Sequence, residues 1–147
     1  MRIIKLSPKD PDMHNRAMVD AYFHQVLQAR TPAGQFLLTR GRISQDGIQS
    51  DERIVFTYLG EVVYQARSLT GRLENSDKTE SERYPHYFCV NLDSIQQGAK
   101  SLHELEDELK NANLIPVDQN LVKSQGWPIV EEPDEPALSR VLERFLK

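Results

Sequence analysis

The feature that most constrains the fold is the stretch DERIVFTYLGEVVYQARS, residues 51–68, which predicts two strands around a tight turn. The strands would span residues 53–58 and 61–69, with Leu59 and Gly60 at the centre of the turn. Glycine suits such a turn because it adopts positive φ without strain. A two-residue turn also fixes the register, and we expect the cross-strand pairs Tyr58–Glu61, Thr57–Val62, Phe56–Val63, Val55–Tyr64 and Ile54–Gln65.

Both faces of this predicted hairpin are apolar. An antiparallel sheet with one face in water should alternate apolar and polar residues, so a hairpin that is apolar on both faces is covered on both. A barrel interior on one side and a helix on the other would provide that cover. The polar exceptions share one face and would mark where the cover ends: Tyr58, Glu61, Gln65 and Arg67.

The rest of the chain mixes strands and helices. Strands are predicted at residues 2–6, 35–44 and 84–95, and helices at 13–29, 101–113 and 134–147. Ser101 followed by Glu104 forms a capping box at the start of the second helix. Residues 70–83 are almost wholly polar, which predicts a long mobile loop of the kind that often carries function. This order indicates an α+β fold built on a small, partly open mixed β-barrel flanked by about three helices.

Length and composition narrow the class of protein. The 147 residues fit a single domain over 1–147, with the helix at 134–147 as an appendage that packs on the barrel or on a partner chain. No apolar run reaches the roughly 20 residues of a membrane span, and no signal-peptide pattern is present, so we expect a cytoplasmic protein without a membrane partner. Residues 1–103 carry 13 basic and 12 acidic residues, while residues 104–147 carry 5 and 10. The acidity therefore lies in the last third.

The sequence gives no sign of a metal site, cofactor or disulfide. Cys89 is the only cysteine and lies in a predicted strand, which indicates a small buried apolar residue. The four histidines are scattered, and no second cysteine is present to form a ligand pair. Trp127 and the pair Tyr22 and Phe23 are interpreted as core residues.

Three stretches resemble the PUA-like superfamily, particularly the EVE domain and its ASCH and YTH relatives. SDERIVFTYLGEVVYQARS is similar to the strand pair of that superfamily, and YPHYFCVNLDSI is similar to the later strand of the EVE pattern. SLHELEDELKNANLIPVDQNLVKSQGWPIV resembles the EVE ending, in which a helix leads to an extended stretch and a tryptophan. The resemblance covers roughly residues 51–130. The aromatic-rich first strand and the W-x-x-V-R-N-x-x-A-R stretch with which EVE domains commonly begin have no counterpart here.

This resemblance implies a module that binds nucleic acid or a nucleotide, often with a modified base in an aromatic and arginine-lined cleft. Such a site needs aromatic rings to stack on the base and cations to meet the phosphates. The candidates for phosphate contact are Arg40, Arg42, Arg67 and Arg72. The candidates for stacking are Tyr58, Tyr84 and Tyr87, whereas Tyr64 is expected in the core. The choice between DNA and RNA stays open.

Two alternatives remain at this point. Some ASCH relatives look like small amidohydrolases that act on modified nucleosides through a lysine, a threonine and a glutamate, and the chain supplies those residue types as Thr39, Thr57, Glu61 and Lys78. Otherwise the acidic last third and the final helix would bind a protein partner or a second copy of the chain.

Overall fold

The computed structural model describes residues 1–39, 47–132 and 134–147. Its strands are β1 (Arg2–Leu6), β2 (Gln35–Leu38), β3 (Arg53–Tyr58), β4 (Glu61–Arg67), β5 (Leu73–Glu74), β6 (His86–Cys89) and β7 (Gln96–Gln97). Its helices are α1 (residues 16–29), α2 (Leu102–Asn111) and α3 (Glu135–Glu143). The predicted α+β class with about three helices is confirmed.

The strands form two sheets that do not close on each other. The first has the order β1-β3-β4-β7, with β1 parallel to β3, and the second has the order β2-β6-β5. An isolated bridge between Ser68 and Val90 joins the end of β4 to the end of β6. The sheets thus form the partly open wall that the sequence predicted.

The hairpin forms, but its register changes part of the way along. Leu59 and Gly60 both have positive φ, 50° and 81°, as a two-residue hairpin turn requires. The two pairs next to the turn are as predicted, and beyond them the register shifts by one residue. The expected pairs Phe56–Val63, Val55–Tyr64 and Ile54–Gln65 are therefore wrong, and the observed pairs are Phe56–Tyr64, Val55–Gln65 and Ile54–Ala66.

A β-bulge at Val63 is the physical reason for this shift. An extra residue in one strand allows two consecutive side chains to depart from strict alternation. Val63 and Tyr64 accordingly both join the core that contains Phe56. The predicted cover on both faces is confirmed, because Val55 and Val62 belong to a second core on the other side of the sheet.

Different helices cover the two faces. The three-stranded sheet and α1 close the first core, which contains Tyr22 and Phe23 as expected. Asn15 caps α1 by accepting a hydrogen bond from the Met18 N–H at 2.9 Å, so the helix begins later than predicted. Its middle turn, Tyr22–Val26, is π-helical.

The second core lies under α2 and α3. Ser101 accepts a hydrogen bond from the Glu104 N–H at 3.1 Å, as the capping-box pattern predicted. In α3 the residues Leu138, Val141 and Leu142 are buried in this core. The apolar face of the last helix is therefore covered by its own chain. No helix in the described ranges is long and apolar enough to cross a membrane.

Candidate functional site

A cleft of about 240 Å³ opens between the carboxyl end of β1 and strand β2. Typical small-molecule sites measure about 300–1,000 Å³, so this cleft has room for one ring system rather than a larger ligand. It combines cationic, aromatic and hydroxyl side chains from four segments of the chain. Its lining consists of Lys5, Leu6, Ser7, Lys9, Asp10, Met13, Phe36, Leu37, Thr39, Arg83, Tyr84 and Trp127.

The turn after β1 gives the cleft a fixed rim. The Asp10 N–H donates to the Ser7 carbonyl at 3.1 Å, and the Met13 N–H donates to the Asp10 carbonyl at 2.9 Å. The Tyr58 hydroxyl donates to the Met13 carbonyl at 2.7 Å and so ties this turn to the hairpin. These bonds use the turn-forming residues of SPKDPDM and leave Lys9 exposed on the rim.

The cleft carries an excess of positive charge in a chain whose net charge is −4. Lys5, Lys9 and Arg83 line it against one carboxylate, Asp10. The Arg83 guanidinium lies 5.3 Å from the centre of the Tyr84 ring, a cation–π distance. Within the described ranges neither Lys9 nor Arg83 has a carboxylate at ion-pair distance. Both charges are therefore available to an anionic ligand.

Lys5 is held more firmly than the other two cations. Its Nζ donates to the Ser124 carbonyl at 2.6 Å and to the Val122 carbonyl at 3.2 Å. Burial lowers the pKa of Lys5 below its ordinary value, and the nearby Glu106 carboxylate opposes part of that shift. Glu106 in turn accepts a hydrogen bond from the Val122 N–H at 3.2 Å, which fixes the segment that holds Lys5.

Aromatic side chains form the floor and one wall of the cleft. Phe36 and Trp127 are only 5% and 7% exposed, and the ring of Phe36 packs at 5.3–5.8 Å against its aromatic neighbours Tyr22, Phe56 and Phe88. Tyr84 is half-buried on the wall, and burial raises its pKa, so its hydroxyl remains a hydrogen-bond donor. A planar ligand would meet a rigid floor and one accessible ring.

The predicted stacking residues lie in three different places. Tyr84 is in the cleft, and Tyr87 lines a neighbouring cavity. Tyr58 is 4% exposed, so its ring contributes to the core. Tyr64 is buried as expected, and its hydroxyl donates to Asp20 Oδ1 at 2.7 Å.

Neither of the two predicted arginines in the described ranges lines the cleft. Arg67 lines a separate groove between the hairpin and α3, where it pairs with carboxylates. Arg72 is exposed just before β5. Arg40 and Arg42 lie outside the described residues.

The residues considered for hydrolysis are also dispersed. Thr39 lines the cleft, whereas Thr57 is buried in the sheet at 3% exposure. Glu61 is exposed beside the hairpin turn, and Lys78 is exposed in the polar loop. General acid–base catalysis needs its groups within hydrogen-bond reach, and this placement does not favour it.

Sequence reasoning missed the three cations of the cleft. Lys5 and Lys9 flank the end of the first strand, and Arg83 precedes a predicted site residue, Tyr84. A usable signal was present, since Ser7, Pro8 and Pro11 mark a turn at which polar side chains leave the sheet. Nothing local in the sequence shows that this turn meets residues 83–84.

Three kinds of comparison with known proteins were made. No protein-family model matches the chain, and no curated protein sequence matches it. The chain is similar to the crystal structure of the YTH domain of Zygosaccharomyces rouxii MRB1 protein in complex with N6-methyladenosine RNA, with 15% identity and a TM-score of 0.49. The likeness covers 98% of this chain and 86% of that one.

Proposed function

We propose that the chain is a binding module for nucleic acid or a nucleotide, with one base in the cleft and its phosphate at the rim. The observation that carries this proposal is the pairing of Arg83 and Tyr84 beside Lys9. Together they offer a cation–π pair, an accessible ring and a second cation around a space of about 240 Å³. A base with its phosphate needs a stacking surface and a cation in this arrangement.

The remaining groups support the same ligand. The buried floor formed by Phe36 and Trp127 presents an apolar surface to a ring. The Tyr84 hydroxyl and the Thr39 side chain add polar groups at the edge of the same space. We further propose, from the resemblance over residues 51–130, that the module is of the PUA-like, EVE type.

The test uses the single tryptophan as a reporter. Trp127 is the only tryptophan in the chain and lines the cleft, so its fluorescence should respond when a base enters. Single- and double-stranded oligonucleotides, plain and base-modified, are titrated at two salt concentrations. We expect saturable quenching, and affinity that falls as salt rises because phosphate contacts release counterions.

Two variants of one residue test the role of stacking. Tyr84→Phe should retain binding, whereas Tyr84→Leu should weaken it by about 1–3 kcal/mol, the usual worth of one base–aromatic stack. Circular dichroism of both variants checks that the fold is retained. If no oligonucleotide binds at the lower salt concentration, the proposed function is wrong.

A further inference from the structure

A second cavity, of about 490 Å³, differs from the cleft in its chemical character. It lies on the outer face of the three-stranded sheet. Phe36 and Phe88, paired across β2 and β6, point into the core, so the pair Leu37–Tyr87 faces outward because strand residues alternate. The polar residues around Tyr87 in this cavity include Arg30, Gln35, Asn75, Asp77 and Glu80.

One cross-strand residue pair connects the linings of the two cavities. Leu37 lines the cleft, and its direct cross-strand partner Tyr87 lines the second cavity. Cβ atoms of such partners lie about 4.5–5.5 Å apart. The bases of a single strand can be splayed apart and stacked on separate aromatic side chains. Two neighbouring bases of one strand can therefore occupy the two cavities.

The polar loop also connects the linings of the two cavities. Asn75, on the side of the second cavity, donates from Nδ2 to the Tyr84 carbonyl at 2.9 Å, while the Tyr84 side chain lines the cleft. The Asn75 N–H donates to the Pro85 carbonyl at 2.9 Å. The walls of both cavities are thus built on one hydrogen-bonded segment.

The charges differ between the cavities. The cleft has three cations and one carboxylate, whereas the second cavity has one cation, Arg30, and two carboxylates, Asp77 and Glu80. Arg30 is already paired with Glu80 at 3.6 Å and with Asp12 at 4.0 Å. The second cavity therefore suits hydrogen-bond donors on a base rather than a phosphate, since carboxylates accept from exocyclic amino groups.

We propose that the ligand of the cleft is a single nucleic-acid strand of at least two nucleotides, whose second base stacks on Tyr87 and donates an amino group to Glu80 or Asp77. This inference rests on the proposed function and adds a second subsite to it. Adenine, cytosine and guanine carry such an amino group, whereas the only ring donor of uracil and thymine, N3–H, lies between two carbonyl oxygens that carboxylates repel. The second subsite thus selects for amino-bearing bases.

The experiment compares nucleotides of increasing length. The mononucleotide that most strongly quenches Trp127 is extended, on either side, by cytidine or by uridine, each product with a 5′-phosphate. With the wild-type chain we expect the cytidine dinucleotide to bind about tenfold more tightly than the mononucleotide, because one more base stacks. The uridine dinucleotide should show a smaller gain.

Variants separate the second subsite from the first. Tyr87→Phe should keep the dinucleotide gain, and Tyr87→Leu should lose it while the mononucleotide affinity stays unchanged. Glu80→Gln should reduce the difference in affinity between the cytidine and the uridine dinucleotide. Circular dichroism and thermal unfolding of the variants show that the loss does not come from unfolding.

The outcomes distinguish the two proposals. Equal affinities for mononucleotide and dinucleotide overturn the second subsite and leave the proposed function standing. A dinucleotide gain that survives Tyr87→Leu also overturns it, and equal affinities for the cytidine and uridine dinucleotides overturn the selection by carboxylates. Absence of binding by every mononucleotide and dinucleotide overturns both proposals.

Discussion

Cationic side chains cluster in two regions of this molecule, and the two regions differ in how many carboxylates surround those cations. In the groove beside α3, Arg53 and Arg67 lie directly opposite each other on β3 and β4. Glu135 lies 3.2 Å from Arg53 and 3.5 Å from Arg67, while Glu132 and Asp51 pair with one arginine each at 3.1 and 3.5 Å. The carboxylates balance the two arginines there, as like charges on facing strands require.

In the cleft the balance is different. Lys9 and Arg83 have no carboxylate at ion-pair distance in the described ranges, and Asp10 is the one acid among the lining residues. A pair of neutralised arginines stabilises the fold, whereas unneutralised cations in a concave site attract anions. The comparison teaches that the location of the carboxylates, more than the number of arginines, determines where an anion would bind.

The largest expected effect comes from removing the available cations. If Lys9 and Arg83 each contact one phosphate, the double variant Lys9→Gln/Arg83→Gln should bind single strands about 60-fold more weakly at 50 mM salt and about tenfold more weakly at 200 mM. The salt slope, which is the slope of log affinity against log salt concentration, should become shallower by about 1.4. Fluorescence titration of Trp127 measures both quantities.

A charge-matched control accompanies this variant. Arg140 and Lys147 are exposed at the C-terminal end of the chain, and Arg140→Gln/Lys147→Gln removes the same net charge. We expect it to change the affinity by less than about twofold, because distant exposed charges are screened by salt. Equal losses in the two double variants would show that net charge, rather than the cleft, drives binding.

The second effect is on the free energy of unfolding and tests the groove beside α3. Arg53 is 18% exposed and donates to Glu135 and, at 2.6 Å, to Ser139 Oγ. Arg53→Gln should lower the free energy of unfolding by about 1 kcal/mol, since the partners are partly exposed and the pairs are screened. Lys9→Gln should leave it unchanged. Urea denaturation measures both, and equal effects would contradict the division of roles.

The sequence predicted the framework more fully than the site. The turn at Leu59 and Gly60 located the β3–β4 hairpin, and the apolar character of both faces predicted the double cover. The bulge at Val63 was not predictable, because two adjacent apolar residues fit either register until the opposing core is known. Tertiary packing decided that local choice.

The site depends on contacts between distant segments. Arg67 was chosen because it lies on the hairpin, but Glu135, 68 positions later, neutralises it. Lys9 and Arg83 are far apart in sequence and meet only through the fold. Tyr84 lies in the cleft, whereas Tyr58 lies in the core, where its hydroxyl donates to the Met13 carbonyl.

The third prediction concerns a substitution that gives the groove beside α3 a net positive charge. Glu135 is 63% exposed and contacts both arginines, so Glu135→Gln removes the charge that they share. If the arginines gain one phosphate contact, affinity for a long single strand should rise about fourfold at 150 mM salt, and the salt slope should steepen by about 0.7. A dinucleotide, which occupies only the cleft and the second cavity, should show no change.

The smallest effect is a pH dependence that arises from Lys5. Burial lowers the pKa of Lys5 below its ordinary 10.5, so Lys5 loses its charge in the folded protein at a pH where a free lysine is still protonated. Nucleotide affinity should therefore fall as pH rises through the interval below 10.5, by at most about threefold at 200 mM salt for one lost contact. The Tyr84 hydroxyl stays neutral in the lower part of this pH interval, because burial raises its pKa above 10.0.

The ligand and the variant are chosen to isolate that one charge. Oligonucleotides of adenine or cytosine carry no acidic ring N–H, so the ligand keeps its charge while the pH rises. Lys5→Arg keeps a positive charge at every pH used, because a guanidinium does not titrate in this range. The affinity of the Lys5→Arg variant should stay constant with pH, and a fall as steep as that of the wild-type chain would mean that Lys5 does not contact the anion.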